Sequence, residues 1–281
     1  MDGALRPALA ALAGRPLAVI TGAGISTDSG IPDYRSPGSP PRTPMTLQQY
    51  LSSARWRQHY WARNHIGWQH AARAVPNAGH RALVELEVRG VVRGVITQNI
   101  DLLHARAGSV RVVHLHGRYD VVRCMGCGAR TSRADLHERL SALNPGWRLQ
   151  VDDAEIAPDA DAALAATTGF VVADCAVCGG VLRTDVVFFG DSVPPAKVDA
   201  ARRIVDEAGA VLVAGSSLAV SSALRWVRRA HRDGKPVVVI TRGPTRADDI
   251  ADVRVAVSTT RALPWLAERL PSLPRGDPGV R

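Results

Sequence analysis

Four cysteines stand as two pairs, Cys124-Met125-Gly126-Cys127 and Cys175-Ala176-Val177-Cys178, and the chain has no others. Each CxxC turn aims two thiolates at one point, and two such turns complete a tetrahedral Zn2+ site. Zinc closed by four thiolates leaves no position for water or substrate, so it would be a structural staple and the chemistry must lie elsewhere. Two other readings compete, a pair of disulfides and a redox CxxC. Residues 1–15 show no charged-then-apolar leader pattern and the chain is large, which fits disulfides poorly. A redox CxxC usually occurs once, at the start of a helix. The 47 residues between the pairs exceed the spacing of common zinc ribbons.

Four further loops hold unusual residues. In Gly22-Ala23-Gly24-Ile25-Ser26, glycines would let backbone N–H groups approach a phosphate at a helix start, with Ser26 adding a donor. The dinucleotide fingerprint of ordinary dehydrogenases wants glycine where this chain has Thr27, which disfavours that class. Thr97-Gln98-Asn99-Ile100-Asp101 places three hydrogen-bonding side chains just past an apolar run. Such groups are costly when buried unpaired and want a polar ligand; the alternative is a capped turn in which Asp101 starts a helix. In His114-Leu115-His116-Gly117, strand alternation would set both histidines on one face, with His116 beside a glycine that opens a site. A lone strand-end histidine is also a common structural residue. Gly215-Ser216-Ser217 is a second small-residue turn before a helix, suited to another nucleotide contact.

The elements that must position these loops alternate in type. Strands are expected at 17–21, 91–97, 110–115, 186–189, 210–214 and 236–240, and helices at 46–70, 77–87, 195–208 and 218–230. Short, wholly apolar strands separated by helices imply a parallel sheet covered on both faces. The expectation is therefore an α/β, doubly wound, Rossmann-like large domain, with ligand beyond the carboxyl ends of its strands. It would comprise residues 10–30, 81–117 and 186–270, with a cofactor loop and helical module at 31–80 and an inserted zinc lobe at 118–185. Residues 271–281 read as a disordered tail.

The 281 residues suffice for a full core. The formal charge is +9, yet no run of basic residues exceeds two, so specific nucleic-acid binding is not expected. Only Lys197 and Lys235 are lysines among 35 basic residues, which reads as the codon usage of a GC-rich bacterial genome. No apolar stretch reaches the ~20 residues of a membrane span, and a cytoplasmic protein is expected.

Taken together, GAGISTDSGIPDYR, TQNID, LHG, the paired CxxC, VVFFGD and GSS resemble the sirtuins (Sir2 family) over roughly residues 10–270. The segments Tyr60-Trp61-Ala62-Arg63-Asn64, Leu143-Asn144-Pro145 and Gly243-Pro244-Thr245-Arg246 are similar to the class II, sirtuin-four-like branch. The resemblance implies an NAD-dependent protein-lysine deacylase, which cleaves NAD to nicotinamide and O-acyl-ADP-ribose and acts on acyl-lysine proteins or peptides. It also implies one structural Zn2+ on Cys124, Cys127, Cys175 and Cys178.

By that resemblance, Gly22, Ala23, Gly24 and Ser26 cradle the pyrophosphate, and Asp33, Tyr34 and Arg35 lie on the cofactor loop. Gln98 meets the nicotinamide ribose, while Asn99, Ile100 and Asp101 shape the nicotinamide pocket. Gly215, Ser216, Ser217, Thr241, Arg242, Gly243 and Thr259 hold the adenosine side, with Thr241 where many sirtuins have asparagine. His116 is the general base, with Asn99 and Asp101 as its catalytic companions; an ordinary histidine pKa near 6.5 suits the task. Val187, Phe188, Phe189 and Gly190 form an extended edge for the substrate backbone, and Ile100 and Phe189 line the acyl-lysine tunnel, Ile100 being otherwise a core residue. Tyr60 and Arg63 share a helix face and form a pair able to hold an acidic acyl group; the other reading is that both are structural. Protein mono-ADP-ribosyl transfer is the alternative activity for the same NAD site.

Overall fold

The computed structural model describes residues 2–33, 44–147, 157–159, 161, 162, 164 and 167–274. The chain divides into two compact units: Met1–Ser39, Val75–Leu115 and Val193–Arg281 form one, Pro40–Ala74 and His116–Ser192 the other.

The first unit is built on a six-stranded sheet. Its strands are β1 (Leu17–Thr21), β2 (Val92–Thr97), β3 (Val112–His114), β7 (Ala210–Ala214), β8 (Val237–Ile240) and β9 (Val253–Val255). They run in the order β3-β2-β1-β7-β8-β9, every pair parallel. Alternation along each strand divides the core. Leu17, Val19, Leu212 and Val238 face a layer that includes α1 (Asp2–Leu12), α4 (Ala78–Val88) and α9 (Thr259–Arg269). Ala18, Ile20, Val211, Val213 and Val239 face α7 (Pro195–Glu207) and α8 (Ser221–Arg232). Both faces are covered, so β7 and β8 are apolar throughout and β1 is buried throughout with only its last residue, Thr21, polar, as a buried parallel sheet demands. A short helix α5 (Leu103–Ala107) follows β2.

Most expected elements of this unit are present with shifted ends. The helix expected from residue 218 begins only at Ser221, because Leu218 sits at φ +52, outside the helical region. Asn77 caps α4, its side chain accepting from the N–H groups of Gly79 and His80. Three elements had not been expected: α1, β9 and α9. The strand β9 has only 3 residues, too few for periodicity to register.

The second unit is mixed in a different way. An antiparallel sheet runs β5 (Arg130–Ser132), β4 (Gly117–Cys124), β6 (Leu182–Val186). Helices α2 (Leu47–Ser52), α3 (Ala54–Arg73) and α6 (Arg133–Leu143) complete it. The single helix expected from residue 46 is broken at Ser53, whose extended backbone ends α2 and whose side chain caps α3. An aromatic core of Tyr50, Tyr60, Trp61, Phe170 and Phe188 fills the interior, with Tyr50, Tyr60 and Phe188 rings 5.2 Å apart. Arg133 is fully buried here, its guanidinium 5.3 Å from the rings of both Trp61 and Trp68 and donating to Asn64. Burial pulls its pKa down to about 10.

Candidate active site

In the first unit the chain leaves β1 toward β2 and β3 and later returns on the opposite side with β7, so β1 and β7 meet at the topological switch point. Their following loops touch through backbone. Gly24 N–H donates to the Gly215 carbonyl at 2.8 Å. A Cβ on Gly24 would stand 2.8 Å from that same oxygen, and one on Gly215 would stand 2.3 Å from Ile25 N. Gly215 also has φ +65. Only glycine permits this approach, which brings the backbone of the two turns together at the ends of β1 and β7.

Behind the turn lies a buried polar network. Ser26 Oγ donates to Asp101 Oδ2 at 2.6 Å, and the Asn99 amide donates to Ser26 Oγ at 3.1 Å and to the Gly22 carbonyl at 3.0 Å. Asp101 Oδ1 accepts from the N–H of Leu103, the first residue of α5, at 2.9 Å. Both Asp101 oxygens are thus paired, and Asp101 stands one residue before the N-cap Leu102 rather than starting the helix itself. Burial pushes the Asp101 pKa up, opposed by the hydrogen bonds from Ser26, Leu103 and Asn99. Gln98 donates through Nε2 to the Thr21 carbonyl at 3.1 Å and to Ser216 Oγ at 2.7 Å, tying the β1, β2 and β7 loops together. Ser216 in turn accepts from Leu218 N–H, and the Ser217 carbonyl accepts from Arg246.

The remaining expected residues of this unit are at the same strand ends. Thr241, after β8, donates its N–H to the Val255 carbonyl at 3.2 Å. The Gly243 carbonyl accepts from Arg254, and Arg242 reaches Asp28 at 4.0 Å. Thr259 is buried at the start of α9 with Oγ1 3.5 Å from the Gly24 carbonyl. Ala23 opens a short 3-10 turn, Ile100 is half-buried, and Asp33 lies in irregular chain. Tyr34 and Arg35 lie outside the described residues.

Sequence reading missed two contributors. Asn77, expected only as a helix cap, also donates to the Ile25 carbonyl at 2.8 Å and to Ser29 at 3.0 Å, pinning the glycine loop. His104 Nε2 lies 2.9 Å from Thr21 Oγ1, and its ring packs edge-on to His80 at 4.9 Å. Burial lowers both histidines' pKa values, His80 to about 4 and His104 well below the ordinary value. No local pattern announces contacts spanning 52 and 83 residues.

In the second unit, His116 lies in the turn before β4 rather than on a strand, since β3 ends at His114; strand alternation therefore does not relate the two histidines. Its carbonyl accepts from Val187 N–H at 2.7 Å. The adjacent Gly117 has φ +92, and a Cβ there would meet the Asp185 carbonyl at 2.1 Å. β6 ends at Val186, short of the expected 189, and a single bridge from Phe189 to Thr46 continues it. Phe188 turns inward to the aromatic core, whereas Phe189 is 45% exposed. Gly190 follows at φ +78. Tyr60 and Arg63 are both engaged internally: the Tyr60 hydroxyl is 2.6 Å from Thr184 Oγ1, and Arg63 pairs with Asp161 at 2.7 Å and donates to the Ala162 carbonyl.

The four cysteines gather as expected, all Sγ atoms within 4.8 Å of one another. Cys124 and Cys178 are 3.5 Å apart and Cys127 and Cys175 3.8 Å, matching the ~3.8 Å edge of a tetrahedron with Zn–S bonds near 2.3 Å. Gly126 and Val177 N–H groups point at the Cys124 and Cys175 sulfurs, the turn that stabilises thiolates. All four are free thiols, so the disulfide reading falls. The donor set fits one structural zinc with no open position.

The Sir2 family profile matches residues 22–222, and the chain belongs to that family. It is 54% identical over 269 residues to NAD-dependent protein deacetylase 1 of Mycobacterium avium (strain 104), covering 95% of each chain. It is 50% identical to the NAD-dependent protein deacylase SIR4 of Monosiga brevicollis, covering 84% of this chain and 78% of that one. Among solved structures, a Sir2–p53 peptide–NAD+ complex superposes with TM-score 0.73 at 28% identity, covering 94% of this chain and 97% of that one. Among the described residues, no helix is long and apolar enough to cross a membrane.

Proposed function

We infer that this chain is an NAD-dependent protein-lysine deacylase. The observation that carries this reading is the Ser26–Asn99–Asp101 hydrogen-bond network beside the close-packed glycine turns, in a chain 54% identical to a named deacetylase. Bound NAD supplies a ribose carbon that accepts the acyl group as nicotinamide departs. The chain's own residues divide the rest. Gly22, Gly24 and Gly215 let the two turns pack closely enough for their backbone to face a pyrophosphate, and Gln98 and Ser216 fix the loop that meets the ribose. Asn99 donates its amide to Gly22 and Ser26, which holds its side chain in place beside the glycine turn. His116 takes the proton of a ribose hydroxyl at its imidazole nitrogen. Val187 and Phe189 offer backbone and an exposed ring to an acyl-lysine peptide, while Phe188 serves the core.

Zinc holds the second unit's knuckles and takes no part in the reaction. A cytoplasmic setting belongs to this reading, because four zinc-ready thiols persist where the medium is reducing. The named relatives are deacetylases and deacylases, so ADP-ribosyl transfer is not favoured. Mass spectrometry of NAD turnover with acetyl-, propionyl-, succinyl- and long-acyl-lysine peptides tests the proposal. Acyl-ADP-ribose formed with one acyl class and lost in His116→Ala is expected. Nicotinamide release with no acyl product would overturn it.

A further inference from the structure

Four arginines fall within residues 225–232 on α8, and the fold sets Arg202 of α7 beside them. Between these helices lies an open groove of about 510 Å3, lined by Asp199, Arg202, Arg225, Trp226, Arg228, Arg229 and Arg232, among others. Five arginines and one aspartate leave it strongly positive. Two arginines are already neutralised: Arg202 by Asp199 at 3.0 Å and Arg229 by Asp206 at 2.8 Å. Arg225, Arg228 and Arg232 have no carboxylate partner among the described residues. At spacings of three and four they share one face of α8, spanning roughly 10 Å along its axis.

A second feature points the same way. Trp226 is 4% exposed and lines the groove, yet its indole N–H has no acceptor among the described residues. Arg225 lies 5.2 Å over the Trp226 ring, which fixes a guanidinium beside that donor. An unmet buried N–H together with three uncompensated cations asks for an acceptor-rich anion.

The geometry points to a binding site for a compact polyphosphate of the nucleoside di- or triphosphate class, separate from the glycine cradle. Compactness follows from two facts. The volume lies in the ~300–1,000 Å3 range of small-molecule sites. Asp206 and Asp233 also flank Arg229 near the C-terminal ends of α7 and α8, so the basic surface is bounded rather than continuous. Guanidinium forks match phosphate oxygens bidentately, and the indole N–H supplies a further donor.

Calorimetric titration of the full chain with ATP, inorganic triphosphate and adenosine, with ADP-ribose saturating the NAD site, tests this. ATP and triphosphate should bind and adenosine should not. The combined replacement R225E/R228E/R232E should weaken that binding by about tenfold or more, with NAD-dependent turnover and melting temperature unchanged. Trp226→Phe keeps the ring, deletes the donor and should cost about threefold or more. On binding, the indole N–H resonance of Trp226 should shift. Equal affinity for ATP and triphosphate would mean that phosphate alone is read; a preference for ATP would add the nucleoside. Absence of binding, or binding indifferent to the triple replacement, would overturn the site. Affinity confined to single-stranded DNA and growing with its length would replace it with a nucleic-acid surface.

Discussion

The two units hold their sites by opposite means. In the first, position comes from a doubly covered parallel sheet whose loops approach until backbone meets backbone. Gly24 and Gly215 tolerate nothing larger, and the polar network behind them is satisfied by Ser26, Asn99 and Asp101. In the second, the three antiparallel strands hold an aromatic core rather than a doubly covered parallel sheet. Four thiolates and a few costly buried polar groups stand in, Arg133 between two tryptophans foremost. Where apolar area is plentiful, the backbone itself can be the binding element. Where it is scarce, metal and specific side chains hold the chain, and loss of one member removes more.

The largest expected effect sharpens the division of labour. Under the proposed function, replacing His116 with alanine should lower acyl transfer by about 10²–10⁴-fold while NAD affinity falls far less; calorimetry beside turnover assays checks both. Next, Cys124→Ser or strong chelation should release one zinc per chain, read by metal analysis. Hydrogen exchange should then accelerate at β4, β5 and β6 and stay slow in β1, β7 and β8. Equal loss of protection in both sheets would break the comparison.

Within the first unit, Gly215→Ala sets a Cβ against Ile25 N at a left-handed φ. It should cost roughly 2–4 kcal/mol in a denaturant melt and raise the NAD dissociation constant at least tenfold.

Acid should act on both units. Burial lowers His65 to about 3 and His80 to about 4, and His104 moves the same way. Their folded pKa values lie below the unfolded value near 6.5, so the unfolded state binds more protons in between. Stability should therefore be flat in these groups above about pH 6.5 and fall as pH drops toward 4. Each histidine can contribute up to about 1.4 kcal/mol per pH unit. His80→Gln should shallow that limb by about one proton in urea melts taken from pH 7 to 4.

The smallest effect concerns acyl choice. Arg63 is held by Asp161 and the Ala162 carbonyl, so Arg63→Met should change the ratio of succinyl to acetyl turnover by less than about threefold. A larger change would restore the carboxylate-binding role of the Tyr60–Arg63 pair.

Local chemistry carried much of this protein in plain view. Short, largely apolar strands ending in glycine or polar turns declared the parallel sheet, because a strand covered on both faces admits little polar alternation. The CxxC spacing declared the metal site, because two thiolates on one turn are already nearly aimed. Tertiary structure decided the rest, where the cause is distant in sequence. The inward turn of Phe188 follows from Tyr50 and Tyr60, more than a hundred residues earlier. Asn77 became a clamp because α4 begins beside the glycine loop. Tyr60 and Arg63 lost their freedom to Thr184 and Asp161. The arginines of α8 became a groove only when α7 packed beside them. Periodicity and motif spacing report the backbone's own preferences, whereas the partner of a side chain is set by which surfaces the core brings together.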